Sequence, residues 1–148
     1  AQRKTLKTTS KTGMAVIMDI GEEKDIHPHN KQDVGKRLAL LALDKDYEFD
    51  IISSGPLYKS HKTFINYIDI DFENKGSGLM SKGVLKDFEI AGDNMIYKTA
   101  KAEIIDNKIR VSSSMVKYPK HVRYGWKNWT VGSLFNKEGL PASSFSSN

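Results

Sequence analysis

Hydrophobic positions follow two different rhythms along the chain. Residues 13–21 (GMAVIMDIG) are nearly all apolar between two glycines, with no alternation. A run of that kind predicts a strand buried on both faces of a parallel sheet. A polar loop follows, EEKDIHPHN over residues 22–30, and then Val34, Leu38 and Leu41 recur at helical spacing with Leu40 and Leu43 beside them. Asn30 is placed to cap that helix, with Asp33 in its first turn. Beyond Asp44 the period falls to two. In FINYIDIDF (64–72), Phe64, Ile68, Ile70 and Phe72 share one face, and Tyr67, Asp69 and Asp71 the other. Ile96, Ala100, Ala102 and Ile104 alternate with polar residues, and Asp106-Asn107 reads as a tight hairpin turn into Ile109 and Val111. Further short strands are expected at 49–53, 85–91 and 122–126.

The order predicts two parts: an α/β strand–loop–helix unit over residues 1–45 and an antiparallel β-sandwich module over 46–148. A single strand–loop–helix unit cannot cover both faces of its own strand. The first part therefore reads as the C-terminal end of a larger, incomplete α/β domain. The faces of Met14–Ile20 and Val34–Leu41 then call for a partner segment, or must fold back onto the β module.

Composition narrows the functional classes. The chain has 148 residues, 39% of them hydrophobic and 28% charged, which suffices for a folded core. Its longest unbroken apolar stretch, Leu38 to Leu43, is far below the roughly 20 residues of a membrane-spanning helix, so no membrane association is expected. With no cysteine there is neither a disulfide framework nor a thiolate metal site. The first residue is Ala1 and no signal-peptide pattern follows it, as in a processed product or a piece of a longer chain. The net charge of +5 is concentrated at one end. Residues 1–12 hold Arg3, Lys4, Lys7 and Lys11 and no acid, and the rest is near neutral. A nucleic-acid module would spread cations and aromatics over a folded face, so no nucleic-acid partner is expected.

Candidate chemistry centres on the loop at 22–30, because active sites of open α/β sheets gather after the carboxyl ends of strands. His27 follows Asp25 by two positions, which project to the same side of an extended segment. A histidine whose ring is oriented by a carboxylate is a general base for a nucleophile. His27 and His29 with Glu22, Glu23 and Asp25 are also metal-ligand types, but Pro28 stiffens the pair and no further fixed ligand is evident, so no metal is expected. His61 and His121 read as solvent-exposed loop residues. Ser53, Ser54 and Ser112–Ser114 read as strand-end and turn residues, and there is no Gly-x-Ser-x-Gly elbow. Gly76-Ser77-Gly78 lacks the lysine and following helix of a phosphate cradle. Tyr124, Trp126 and Trp129 read as core of a small module, with sugar stacking as the other use of such rings.

The stretch GMAVIMDIGEEKDIHPHNKQDVGKRLALLAL resembles the last active-site block of the SGNH (GDSL-type) hydrolases, and within them the sialate O-acetylesterase branch. SSGPLYKS (53–60), FEIAG (88–92), VRYGW (122–126) and LFNKEGLPASSF (134–145) follow in the same order. The resemblance implies the C-terminal end of an SGNH flavodoxin-like domain followed by a jelly-roll-like β-sandwich. It implies removal of acetyl groups from sialic acid or related sugars by a Ser-His-Asp type mechanism, with no cofactor. His27 matches the family's catalytic histidine, with Asp25 as its orienting acid. The general family spelling places the acid three residues before the histidine, where this chain has Lys24. The Gly-Asp-Ser nucleophile block and the oxyanion-hole glycine and asparagine blocks have no match. The serine is therefore expected from a segment or partner chain carrying those blocks. The resemblance also implies a periplasmic or secreted bacterial enzyme, with a lysosomal one as the alternative. A non-catalytic β-sandwich that binds carbohydrate or braces a neighbouring domain is the competing expectation.

Overall fold

The computed structural model describes residues 2–148. A short helix α1 (Gln2–Thr8) and a longer helix α2 (Lys31–Lys45) precede ten strands. The strands are β1 (Leu57–Thr63), β2 (Tyr67–Glu73), β3 (Leu79–Ser81), β4 (Phe88–Ala91), β5 (Lys98–Thr99), β6 (Lys101–Ile105), β7 (Lys108–Ser112), β8 (His121–Tyr124), β9 (Leu134–Asn136) and β10 (Phe145–Ser146). They form two four-stranded sheets, ordered β1-β2-β7-β6 and β10-β8-β4-β5, and a two-stranded ribbon β3-β9. Every pairing is antiparallel.

Period-two burial explains the core. Ile68, Ile70 and Phe72 of β2 and Ile109 and Val111 of β7 point inward and are fully or almost fully buried. They meet Phe88 and Ile90 of β4, Val122 and Tyr124 of β8 and Phe145 of β10 in one cluster. Tyr67, Asp69 and Asp71 lie on the other face, where Arg110 of β7 forks onto Asp69 at 2.7 and 2.8 Å and covers the Tyr67 ring at 4.0 Å. The Asp106-Asn107 turn has positive φ at both residues (49° and 56°), the geometry of a type I′ hairpin. The Asn107 side chain also accepts from the Leu79 amide at 2.8 Å, tying the ribbon to the first sheet. Edge strand β1 is lysine-rich and bulged between Tyr58 and Ser60.

Two buried polar groups join elements that the ladders leave separate. Tyr124 Oη accepts from the amides of Ser133 (2.9 Å) and Leu134 (3.2 Å). Asn136, fully buried, donates to the carbonyls of Ser54 and Asn74 and accepts from the Leu140 amide at 2.9 Å. Gly55 passes so close to the carbonyl of Pro141 that a Cβ would lie 2.1 Å from it. Tyr124→Phe leaves two buried amides without an acceptor, and each unmet group costs about 1–3 kcal/mol. Urea unfolding of that variant should show a lower midpoint at an unchanged slope.

The α/β expectation is overturned. No strand forms over residues 13–21: residues 12–17 are extended without a ladder partner, and residues 18–20 make a turn. Among the described residues no parallel strand pair exists, so there is no piece of a flavodoxin-like sheet. The apolar run is continuous for another reason. It lies along the β module, with Met18 packed on the core and Gly13 against Leu41, while Ile17 faces solvent. Periodicity alone does not separate a doubly buried strand from an extended segment of this kind. The antiparallel β-rich part agrees with expectation, but the jelly-roll order does not. The hairpins β1-β2 and β6-β7 lie side by side in one sheet, whereas a jelly roll interleaves two Greek keys. Residues 49–53 are irregular rather than a strand.

Helix α2 forms as its sequence requires. Asn30 accepts from the Asp33 amide at 3.1 Å, and its own amide donates to the Asp33 carboxylate at 2.9 Å. Only Arg37 and Leu41 of this helix are buried, and Leu38 remains 52% exposed, so the buried stripe is narrower than the apolar one. No helix among the described residues is long and apolar enough to cross a membrane.

Candidate functional site

The loop at 22–30 rests on a clamp built by a charged pair. Arg37 projects from the inner face of α2 and forks onto Asp19, each contact 2.7 Å, and also donates to the Val16 carbonyl at 2.6 Å. Both side chains are about nine-tenths buried. Three charge-assisted bonds thus fix the extended segment to the helix at the point where the loop begins. On the other side Trp129 covers Gly21, where a Cβ would come within 3.3 Å of the indole. The helix and the tryptophan together hold the loop's entry.

The loop itself is a tight reversal. Glu22 and Asp25 pair across a turn at Glu23-Lys24. Asp25 Oδ1 accepts from the His27 backbone amide at 2.8 Å, an Asx turn that aims the following residues. His27 Nδ1 stands 3.8 Å from the same oxygen, within ion-pair range but beyond hydrogen-bond length. The His27 side chain is 81% exposed, so the imidazole faces solvent rather than being packed. Asp25 and His27 lie side by side, joined by the backbone hydrogen bond and not by one between their side chains.

A second histidine–carboxylate contact was not legible. Glu22 Oε1 accepts from both the His29 amide (2.7 Å) and His29 Nδ1 (2.9 Å). The seven-residue separation hid it, and only the turn at 23–24 brings the ends together. These hydrogen bonds, the backbone one foremost, hold the Glu22 carboxyl below the ordinary glutamate range. A carboxylate with a depressed pKa supports the folded loop above its unfolded value and loses that support as pH falls through the folded one. The His29 amide resonance should therefore shift on acidification with a midpoint below that of an ordinary glutamate, and Glu22→Gln should remove the step.

Glu22, Asp25 and His29 have donor atoms all within 4.8 Å of one another. Their types suit zinc, but all three are exposed and the loop's own hydrogen bonds account for the cluster, so we assign it no metal. His61 and His121 lie on strands β1 and β8 and are half-buried, not exposed loop residues. His61 Nε2 donates to the Lys120 carbonyl (3.1 Å), which leaves Nδ1 to accept from Tyr58 Oη (2.6 Å). That is a satisfied structural histidine. Among the described residues no serine hydroxyl is hydrogen-bonded to a histidine. Ser53 Oγ donates to Asp44, and Ser54 Oγ accepts from Asn74 at 2.8 Å. What the loop offers chemically is an exposed base beside a carboxylate, with no nucleophile hydrogen-bonded to it.

No protein-family model matches the chain, and no curated protein does. Among solved structures it is similar to the crystal structure of a novel carbohydrate acetylesterase from Xanthomonas citri. The TM-score is 0.93 at 38% identity, over 99% of this chain. The chain spans 34% of the length of that protein. Its relationship is thus to a carbohydrate esterase.

Proposed function

We propose that the chain is the histidine-bearing part of a carbohydrate esterase that hydrolyses acetyl esters on sugar hydroxyls. The observation that carries this is the likeness to the Xanthomonas citri acetylesterase over almost the whole chain at 38% identity. In this reading His27 deprotonates a serine and then protonates the departing sugar oxygen, and Asp25 orients and charge-balances the ring. The serine and the oxyanion donors come from another segment or chain. Sialic acid or a related sugar is the substrate, and the enzyme works in the periplasm or outside the cell. Residues 1–45 carry the chemistry and residues 46–148 form the β module.

The reading is tested with a chimera in which residues 1–148 replace the matching third of the Xanthomonas citri enzyme. A folded chimera should hydrolyse acetylated sugars, and one that folds without any turnover overturns the proposal. The chain alone should hydrolyse p-nitrophenyl acetate no faster than free imidazole, because the oxyanion donors supply the largest electrostatic share of acyl transfer. Labelling of any of its own serines by a fluorophosphonate would contradict that.

A second reading, a carbohydrate-binding or bracing module without chemistry, draws on one observation: no described serine is hydrogen-bonded to a histidine. Under it the chimera keeps its stability and loses turnover, and His27→Ala changes nothing further.

A further inference from the structure

Between α2 and the β module lies a groove of about 490 Å³ that starts at Asp19 and Ile20, just before Gly21 opens the histidine loop. Four cations line it: Lys36, Arg37, Lys82 and Lys86. Two are already neutralised, Arg37 by the buried Asp19 and Lys36 by Asp33 at 3.3 Å. Lys82 and Lys86 have no carboxylate within ion-pair distance among the described residues. Asp87, next to Lys86 in the chain, is taken by Lys127 and Thr130. The two lysines flank a loop whose backbone is pinned from both ends to the buried Ser133. The Lys82 amide donates to the Ser133 carbonyl (3.0 Å), and the Lys86 amide to Ser133 Oγ (3.1 Å). Lys82 Nζ also sits 4.1 Å from the centre of the buried Phe135 ring. The remaining wall is apolar, from Ile20, Val131 and Leu140, and Val131 is left 44% exposed.

A pair of uncompensated ammonium groups over an apolar wall fits a small ligand with one anionic group and one C–H face. We propose that this groove binds the carboxylate of an acidic sugar, with Lys82 and Lys86 on the carboxylate and the pyranose ring against Ile20 and Val131. Its volume lies within the range of small-molecule sites. Sialic and uronic acids share this chemistry. The inference rests on the carbohydrate reading of the chain but not on its esterase step, since binding is read without turnover.

The test is NMR titration of the 148-residue chain with N-acetylneuraminate and with galacturonate, each beside its methyl ester, which keeps the ring and removes the charge. At least one acid should shift the amides of Lys82, Lys86 and Val131, and its ester should bind about tenfold more weakly or worse. Whichever acid binds identifies the source. Affinity should also fall steeply between about 0.01 M and 1 M salt, over which the screening length contracts from about 30 to about 3 Å. Lys82→Gln with Lys86→Gln should abolish the shifts and lower Tm by at most about 4 °C, the share of the lost Lys82–Phe135 contact, since both side chains are otherwise exposed. Equal binding of acid and ester overturns the proposal, as does binding that survives the double substitution. Equal shifts with inorganic phosphate overturn it too, since they would mark a general anion patch. If the double variant fails to fold, the acid-against-ester comparison decides alone.

Discussion

Replacing His27 by alanine in the active chimera should lower kcat for acetyl-sugar hydrolysis by about 100- to 10,000-fold, the range that a positioned general base contributes. The melting temperature should stay where it was. His27 is four-fifths exposed, and its one hydrogen bond to Asp25 comes from the backbone, which alanine retains. The loss should fall on kcat and kcat/KM together, because the proton moves only in the transition state. Asp25→Asn distinguishes two duties of that carboxylate. The amide oxygen still accepts from the His27 backbone and preserves the turn, but it no longer balances a charged imidazole. His29→Ala should cost far less, since that ring is tied to Glu22. Should His29→Ala abolish turnover while His27→Ala spares it, the base is the histidine held by Glu22.

The other large effect is expected at the clamp beneath the loop. Arg37→Ala leaves Asp19 charged and buried with no partner, and Asp19→Ala does the same to Arg37. Breaking a buried pair from one side costs about 3–5 kcal/mol. Removing both charges together, as Arg37→Met with Asp19→Leu, should cost much less, because no orphan charge remains. Thermal melts of Arg37→Met, of Asp19→Leu and of the two combined give the coupling directly. Equal losses in all three would mean that the shape of the pair matters and its charge does not. At this chain length each kcal/mol corresponds to about 2–4 °C, so the single variants should melt roughly 6–20 °C lower.

The legible parts of the fold are those in which one local rule had no competitor. Ile68, Ile70 and Phe72 alternate without interruption and are buried as the pattern requires. Asp106-Asn107 has the residues for two positive φ values and adopts them. Asn30 caps α2 with its side chain. Strand β1 was hidden because an edge strand rich in lysine has no clean buried face, and a bulge breaks its period. Strand β9, Leu134–Asn136, was hidden because three consecutive buried residues carry no alternation. The run at 13–21 misled because continuity of apolar residues reports burial, not pairing.

The site was legible where sequence neighbours are also spatial neighbours, as with Asp25 and His27. It was illegible where a turn or a helix joins distant positions. Glu22 meets His29 only through the reversal between them, and Asp19 meets Arg37 only because α2 returns alongside the segment. One signal was present. Arg37 occupies the helix face shared by Val34 and Leu41, and a cation on a buried face implies a buried anion.

The lysines and the bulge of β1 also govern how molecules of this chain meet one another. An outermost strand offers unpaired amides and carbonyls to any strand that approaches, including the same strand of a second copy. Lys59 and Lys62 are exposed on that border, so two copies brought edge to edge would oppose like charges. The offset between Tyr58 and Ser60 would spoil the register of any continuous ladder. Ladder pairing between copies through β1 is thus disfavoured. With valine at both lysine positions the charge repulsion is lost, and the bulge alone guards that border.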